Sequence, residues 1–284
     1  MKAVLTIAGS DSSGGAGIQA DMKTICSHQL FAESVVTALT AQNTTGVYGV
    51  EEVEPAFVAQ QIDVVFDDIR PDAVKVGMVS SPAIVRAIAD GLRRHEAAHI
   101  VVDPVMVATS GSALIASEAV DALVAHLFPL AEVVTPNIPE AEVLAGMAIA
   151  CPEGVQRAAE LIAERCVAAT ATVPDFTDSD APVPAIMIKG GHGVGEPDAA
   201  DDYLRLAHGE HIWLRGPRIE TCNTHGTGCS LSSAIACNLA QGFAVDVAVR
   251  EAKAYVAGAL ADGLDLGRGS GPLNHMWRYG PVPC

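Results

Sequence analysis

Short apolar runs alternate with amphipathic stretches along the chain, and this rhythm predicts its architecture. Residues 3–8, 34–39, 73–77, 99–103, 132–136 and 185–190 read as strands rich in Val and Ile, apolar on both faces. Between them, residues 16–29, a segment opened by Pro55, and residues 82–94, 117–128, 139–145 and 153–168 carry helical spacing. Strands buried on both faces and separated by helices predict an α/β fold, a mostly parallel sheet with helices on both sides. YLRLA and HIWLRG, joined across AHGE, read as an antiparallel pair. Two long helices, about 227–241 and 245–263, precede a Gly-rich tail. Residues 169–184 break the rhythm with Pro and Asp and no helical period, so they read as a surface insertion in a single domain, 1–284.

Composition narrows the function. Half of the 284 residues are hydrophobic (50%), which rules out disorder, while aromatics reach only 4%. A formal net charge of −17 argues against nucleic acid or an anionic membrane as partner, and means that any anionic ligand needs a locally built positive site. No apolar run is long enough to span a bilayer, and the six-residue run near the N-terminus is too short for a signal peptide. The seven cysteines are odd in number, scattered and without a CxxC pair, so neither a disulfide framework nor structural zinc is expected. A reduced, cytoplasmic enzyme is the expectation.

The unusual residues fall at strand ends. Ala8-Gly9-Ser10-Asp11, Gly77-Met78, Asp103-Pro104, Thr135-Pro136-Asn137 and Lys189-Gly190-Gly191-His192 each follow a predicted strand. In an open parallel sheet those ends share one edge, where ligands bind. Thr224-His225-Gly226-Thr227-Gly228-Cys229 opens a strong helix, where free backbone N–H groups and the helix dipole favour an anion. Cys229 stands in its first turn, a position that lowers a thiol's pKa, and could accept a proton from a substrate hydroxyl. Asp103, Asn137 and Glu140 offer oxygen ligands suited to Mg²⁺, although Asn137 and Glu140 read equally well as a helix cap and its first turn. Lys189 is a plausible phosphate contact, or simply a lysine emerging at the sheet edge.

Two nucleotide motifs fail on context. Gly15-Ala16-Gly17-Ile18-Gln19-Ala20 matches a dinucleotide fingerprint, but GSDSSG separates it from the strand end and speaks against NAD. Residues 17–24 approximate a phosphate-binding loop but carry Met22 where a glycine is required.

AGSDSSGGAGIQAD (8–21), TALTAQNTTGV (37–47), VKVGM (74–78), VVDPVMVATSG (101–111), TPNIPEAE (135–142), IKGGH (188–192), THGTGCSLSSAIA (224–236) and GRGSGPLNH (267–275) closely resemble hydroxymethylpyrimidine/phosphomethylpyrimidine kinases of the ribokinase-like superfamily. The resemblance runs nearly end to end. It implies a three-layer sandwich, usually dimeric, that uses Mg-ATP twice in thiamin biosynthesis. The first phosphorylation is of 4-amino-5-hydroxymethyl-2-methylpyrimidine and the second of its monophosphate. Carried over by motif, Gln42 would hydrogen-bond the pyrimidine, and Gly9, Asp21, Met78 and Val105 would line its pocket. Gly226, Thr227 and Gly228 would form the anion hole with Cys229 as catalytic residue. Asp103, Asn137 and Glu140 would organise Mg²⁺, and Lys189 would approach the nucleotide phosphates. A pyridoxal kinase is the alternative on the same scaffold; a catalytically silent pyrimidine- or nucleotide-binding regulator and an NAD-dependent dehydrogenase are the others.

Overall fold

The computed structural model describes residues 1–106, 117–170, 183–191, 194 and 198–280. Parallel strands β1 (Ala3–Asp11), β2 (Phe31–Asn43), β4 (Ala73–Val76), β5 (Ile100–Val102), β6 (Val133–Val134) and β7 (Ala185–Ile188) form the sheet's centre. Antiparallel strands close both sides: β3 (Gly46–Glu52) beyond β2, and β8 (Asp202–Arg205) then β9 (His211–Leu214) beyond β7. The order is β3-β2-β1-β4-β5-β6-β7-β8-β9.

Alternation along each central strand divides the core in two. Leu5, Ile7, Val74, Val102, Val134 and Ile186 pack under α2 (Pro55–Asp68), α3 (Pro82–Arg94), α4 (Ser117–Ala122), α5 (Ile138–Ala145) and α6 (Pro152–Thr170). Val4, Ala73, Val101, Val133, Ala185 and Met187 face the opposite layer. That layer holds α1 (Gly17–Ser27), α7 (Thr227–Ala240) and α8 (Val245–Asp262). The predicted three-layer α/β sandwich is what the chain forms.

Three boundaries differ from the pattern-based expectation. The strand expected at 34–39 runs on to Asn43, and the polar segment after it is a hairpin into β3. Asn43 Oδ1 closes that turn, accepting from the amide of Thr45 at 2.9 Å and its hydroxyl at 2.7 Å. β3 is solvent-exposed along most of its length, so it carries no apolar alternation to betray it. The helix expected over 117–128 keeps α geometry to Ala122, widens into a π turn at Leu123–Leu127, and ends in a short 3₁₀ turn around Pro129. Most of the expected insertion, 171–182, lies outside the described residues; α6 itself reaches Thr170.

β2 also carries a strained acid. One carboxylate oxygen of Glu33 is buried without a hydrogen-bond partner among the described residues, and burial together with the nearby charges of Asp68 and Asp72 pushes its pKa up to about 7. The folded chain therefore binds this proton more tightly than the unfolded chain, and stability falls as pH rises from about 4.5 to about 7. Glu33→Gln should raise the melting temperature at pH 8 by a few degrees and leave it nearly unchanged at pH 4.5. Equal shifts at both values would exclude the charge as the cause.

Candidate active site

The strand exits converge as the parallel sheet requires. A Cβ built on Gly9 would stand 3.2 Å from the sulfur of Met78, so the β1 and β4 exits touch, and Met78 and Val105 are half-buried beside them. The backbones of Asn137 and Lys189 pair as an isolated bridge, joining the exits of β6 and β7. Asp103, at the end of β5, accepts from Lys189 Nζ at 2.7 Å and from the Thr135 hydroxyl at 3.1 Å. His192 lies outside the described residues.

The N-terminus of α7 enters this edge from the opposite layer. Its cap, Gly226, has φ +85°, and a Cβ there would fall 1.9 Å from the carbonyl oxygen of Gly15. Both constraints require glycine. Thr227 turns its hydroxyl back to the Thr224 carbonyl at 2.7 Å. No side chain caps the helix, and the amides of Gly228 and Cys229 donate to no group among the described residues. A Cβ on Gly228 would sit 3.3 Å from both Lys189 Nζ and Asp103 Oδ2. Free amides, the helix N-terminus and the Lys189 ammonium thus meet at one point, beside the Asp103 carboxylate.

On the acidic side, Asn137 and Glu140 form a reciprocal capping box at α5. Glu140 N donates to Asn137 Oδ1 at 2.9 Å, and Asn137 N to Glu140 Oε2 at 2.8 Å. Lys189 Nζ lies 3.8 Å from that same Oε2, and Met106 N approaches Oε1 at 3.4 Å. Burial and the neighbouring Asp103 push the Glu140 pKa up against the pull of Lys189; burial lowers Lys189, but Asp103 and Glu140 outweigh it. Among the described residues, no cluster of three His, Cys, Asp or Glu could enclose a metal directly. The carboxylates are hard oxygen donors, but each already accepts from the chain. This set fits a hydrated Mg²⁺ held through its water, and not a dry cage.

Two expectations for single residues need correction. Asp21 does not line a pocket: it is fully buried, accepting from Lys75 Nζ at 2.8 Å, the Thr6 hydroxyl at 2.6 Å and the Ser233 hydroxyl at 2.8 Å. The first turns of α1 aim it beneath the sheet edge, where it neutralises an equally buried lysine. The Cys229 thiol is not acidified. Burial pushes it up to about 11; Lys75 and the Gly17 backbone pull it down, while Asp21 and Asp103 push it further up. Desolvation beats the helix terminus.

A cavity adjoins the β2–β3 hairpin. Gln42, Thr44, Thr45, His225, Gly269 and Ser270 line this space of about 260 Å³. His225, 5% exposed, meets Asp11 Oδ2 at 2.8 Å through Nε2, and the same Nε2 stands 3.3 Å from Gln42 Nε2. Asp11 also accepts from the Ser13 hydroxyl and the amides of Ser13, Gly15 and Ala16. Burial raises its pKa, but His225, Ser13 and Ala16 together hold it at about 2. Asp11 and His225 stand in quoted motifs, but their pairing across 214 residues is invisible to spacing. The buried Lys75 is signalled in the sequence by a charge inside an apolar strand.

Comparison with known proteins places this edge in context. The family model described as phosphomethylpyrimidine kinase matches residues 11–274. The hydroxymethylpyrimidine/phosphomethylpyrimidine kinase of Rhizobium meliloti is 48% identical over 97% of both chains. A crystal structure of phosphomethylpyrimidine kinase from Clostridium difficile is 41% identical, with TM-score 0.74, covering 90% of this chain and 98% of that one. An ADP complex of Bacillus subtilis pyridoxal kinase is 30% identical, with TM-score 0.85, over 99% and 100%.

Proposed function

Because the chain belongs to the phosphomethylpyrimidine kinase family, we propose that it phosphorylates 4-amino-5-hydroxymethyl-2-methylpyrimidine and then the resulting monophosphate, with Mg-ATP as donor, in thiamin biosynthesis. The observation that carries the reading is the meeting of free amides at Gly228 and Cys229 with Lys189, at the end of the loop whose His225 lines a cavity together with Gln42. Phosphoryl transfer demands mainly alignment and charge neutralisation, which these groups supply. Gly226, Thr227 and Gly228 form the anion hole, and Lys189 contacts the nucleotide phosphates. Gln42 reads the ring edge, with Gly9, Met78 and Val105 as the adjoining wall. Mg²⁺ would supply further charge neutralisation on the phosphates, and Asp103, Asn137 and Glu140 would orient its water shell. A homodimer and a cytoplasmic setting belong to the same reading. Leu39, Tyr48 and Val50 offer apolar surface on the hairpin, and the six cysteines among the described residues are free.

Cys229 takes the hydroxyl proton in the first step; the second needs no base, since a phosphate oxygen is already ionised. With the thiol near 11, the reactive thiolate grows with pH, so kcat/KM of the first step should climb from pH 7 to 9 without a plateau. The second step should lack that climb. Cys229→Ala should slow the first step by about 100-fold and the second by much less, a range typical of general bases. ADP release measured separately with the alcohol and with its monophosphate checks both points. Equal losses would remove the base role, and no ADP release with either would remove the kinase reading.

A further inference from the structure

The acceptor pocket contains a hydrogen-bond conflict that decides how Gln42 is oriented. Asp11 is ionised and surrounded by donors, so His225 must present Nε2–H to it at 2.8 Å. Gln42 Nε2, 3.3 Å from that same nitrogen, is also a donor, and two N–H groups facing one another make no bond. At the other end of the carboxamide, Thr40 has one hydroxyl proton. It is directed both to the Ser10 carbonyl at 2.9 Å and to Gln42 Oε1 at 3.1 Å. A half-turn of the carboxamide removes the donor–donor clash and frees the Thr40 proton for Ser10. Oε1 then takes the weaker, 3.3 Å branch of the one His225 N–H, whose main bond stays with Asp11, while Nε2 donates to the Thr40 oxygen.

We propose that His225, its proton fixed by Asp11, is a positioning residue that sets the direction of the Gln42 carboxamide and with it the acceptor's specificity. The inference rests on the kinase reading above and extends it. In this orientation one lone pair on Oε1 and one N–H on Nε2 remain for a ligand. They match a ring edge that carries an amine donor beside a ring-nitrogen acceptor. A 4-oxopyrimidine, with the carbonyl as acceptor and the ring N–H as donor, presents the same two groups in reversed order and is excluded. Direction is enforced from behind the amide by Asp11, His225 and Thr40, three side chains that are each nine-tenths or more buried.

The test compares kcat and KM for the 4-amino alcohol and for 5-hydroxymethyl-2-methylpyrimidin-4-one in wild type, His225→Leu, His225→Gln and Thr40→Val. Wild type should prefer the amine by about 100-fold or more, because reversing a fixed donor–acceptor pair leaves both partners unmatched. In His225→Leu that preference should collapse by about 10-fold to 100-fold, through KM and not kcat. His225→Gln, which keeps an N–H donor, should restore much of it, and Thr40→Val should lose part of it. A preference unchanged in His225→Leu and Thr40→Val, or a loss confined to kcat, overturns the proposal while leaving the kinase reading intact. If His225→Leu does not fold, Thr40→Val and His225→Gln decide by the same ratio. A wild type that phosphorylates neither alcohol defeats the kinase reading, and the specificity role falls with it.

Discussion

Lys75→Met should lower the melting temperature by about 10 °C, because it strands a carboxylate in the interior. Lys75 and Asp21 both expose 0% of their side chains and meet at 2.8 Å. Burial alone would lower the lysine's pKa, yet Asp21, Cys229 and Asp103 raise it above the ordinary value, so the ammonium is locked in its charged form. Removing one partner of such a pair typically costs about 3–5 kcal/mol, and a chain of this size loses about 2–4 °C per kcal/mol. The hydroxyls of Thr6 and Ser233 would still solvate Asp21, which keeps the loss near the lower bound. Replacing both members, Lys75→Met with Asp21→Asn, should recover most of the stability, since the cost lies in the unpaired charge. Thermal melts of the single and double variants check this; a double variant no better than the single would mean that packing, and not charge, dominates.

Gly226→Ala should cost about 100-fold to 1000-fold in kcat/KM, the scale seen when a preorganised anion donor is lost. The expected damage comes from displacement. At φ +85° an L side chain is strained, and its Cβ would collide with the Gly15 carbonyl, 1.9 Å away. Either the 14–16 turn or the start of α7 must shift, and the amides of Gly228 and Cys229 shift with it. Since α7 is buried along almost its whole length, the helix body should hold. The variant should therefore retain its circular dichroism while losing turnover with both acceptors. Near-normal turnover would show that these amides do not carry the transferred charge.

How much of this was legible beforehand depended on whether a feature is local. The parallel sheet was readable because Val74, Val101, Val133 and Ile186 sit in runs apolar on both faces, a pattern that only a doubly covered strand produces. The glycine-opened start of α7 was readable because Gly226 to Cys229 are neighbours in the chain. The direction of Asp21 was not, since it depends on the phase of α1, and its partner Lys75 comes 54 residues later. Nor was the thiol's basicity, because a helix terminus is visible in sequence and desolvation is not. The β2–β3 hairpin escaped for the opposite reason, being too exposed to leave an apolar imprint.

The Gly-rich tail has a consequence in time. The amides of Arg268, Gly269 and Ser270 all reach back to Thr44 on the hairpin, His225 N donates to the Gly271 carbonyl, and His275 bonds Ser230 at 2.9 Å. One part of the cavity wall is therefore made by Gly269 and Ser270, and another by residues 42–46, which are translated long before them. During synthesis the sheet can assemble strand by strand while the cavity still lacks the part made by Gly269 and Ser270. A nascent chain halted before residue 267 would carry the Gly226–Cys229 loop without a finished cavity, so any ability to hold a ligand there should arrive only after the sheet has assembled.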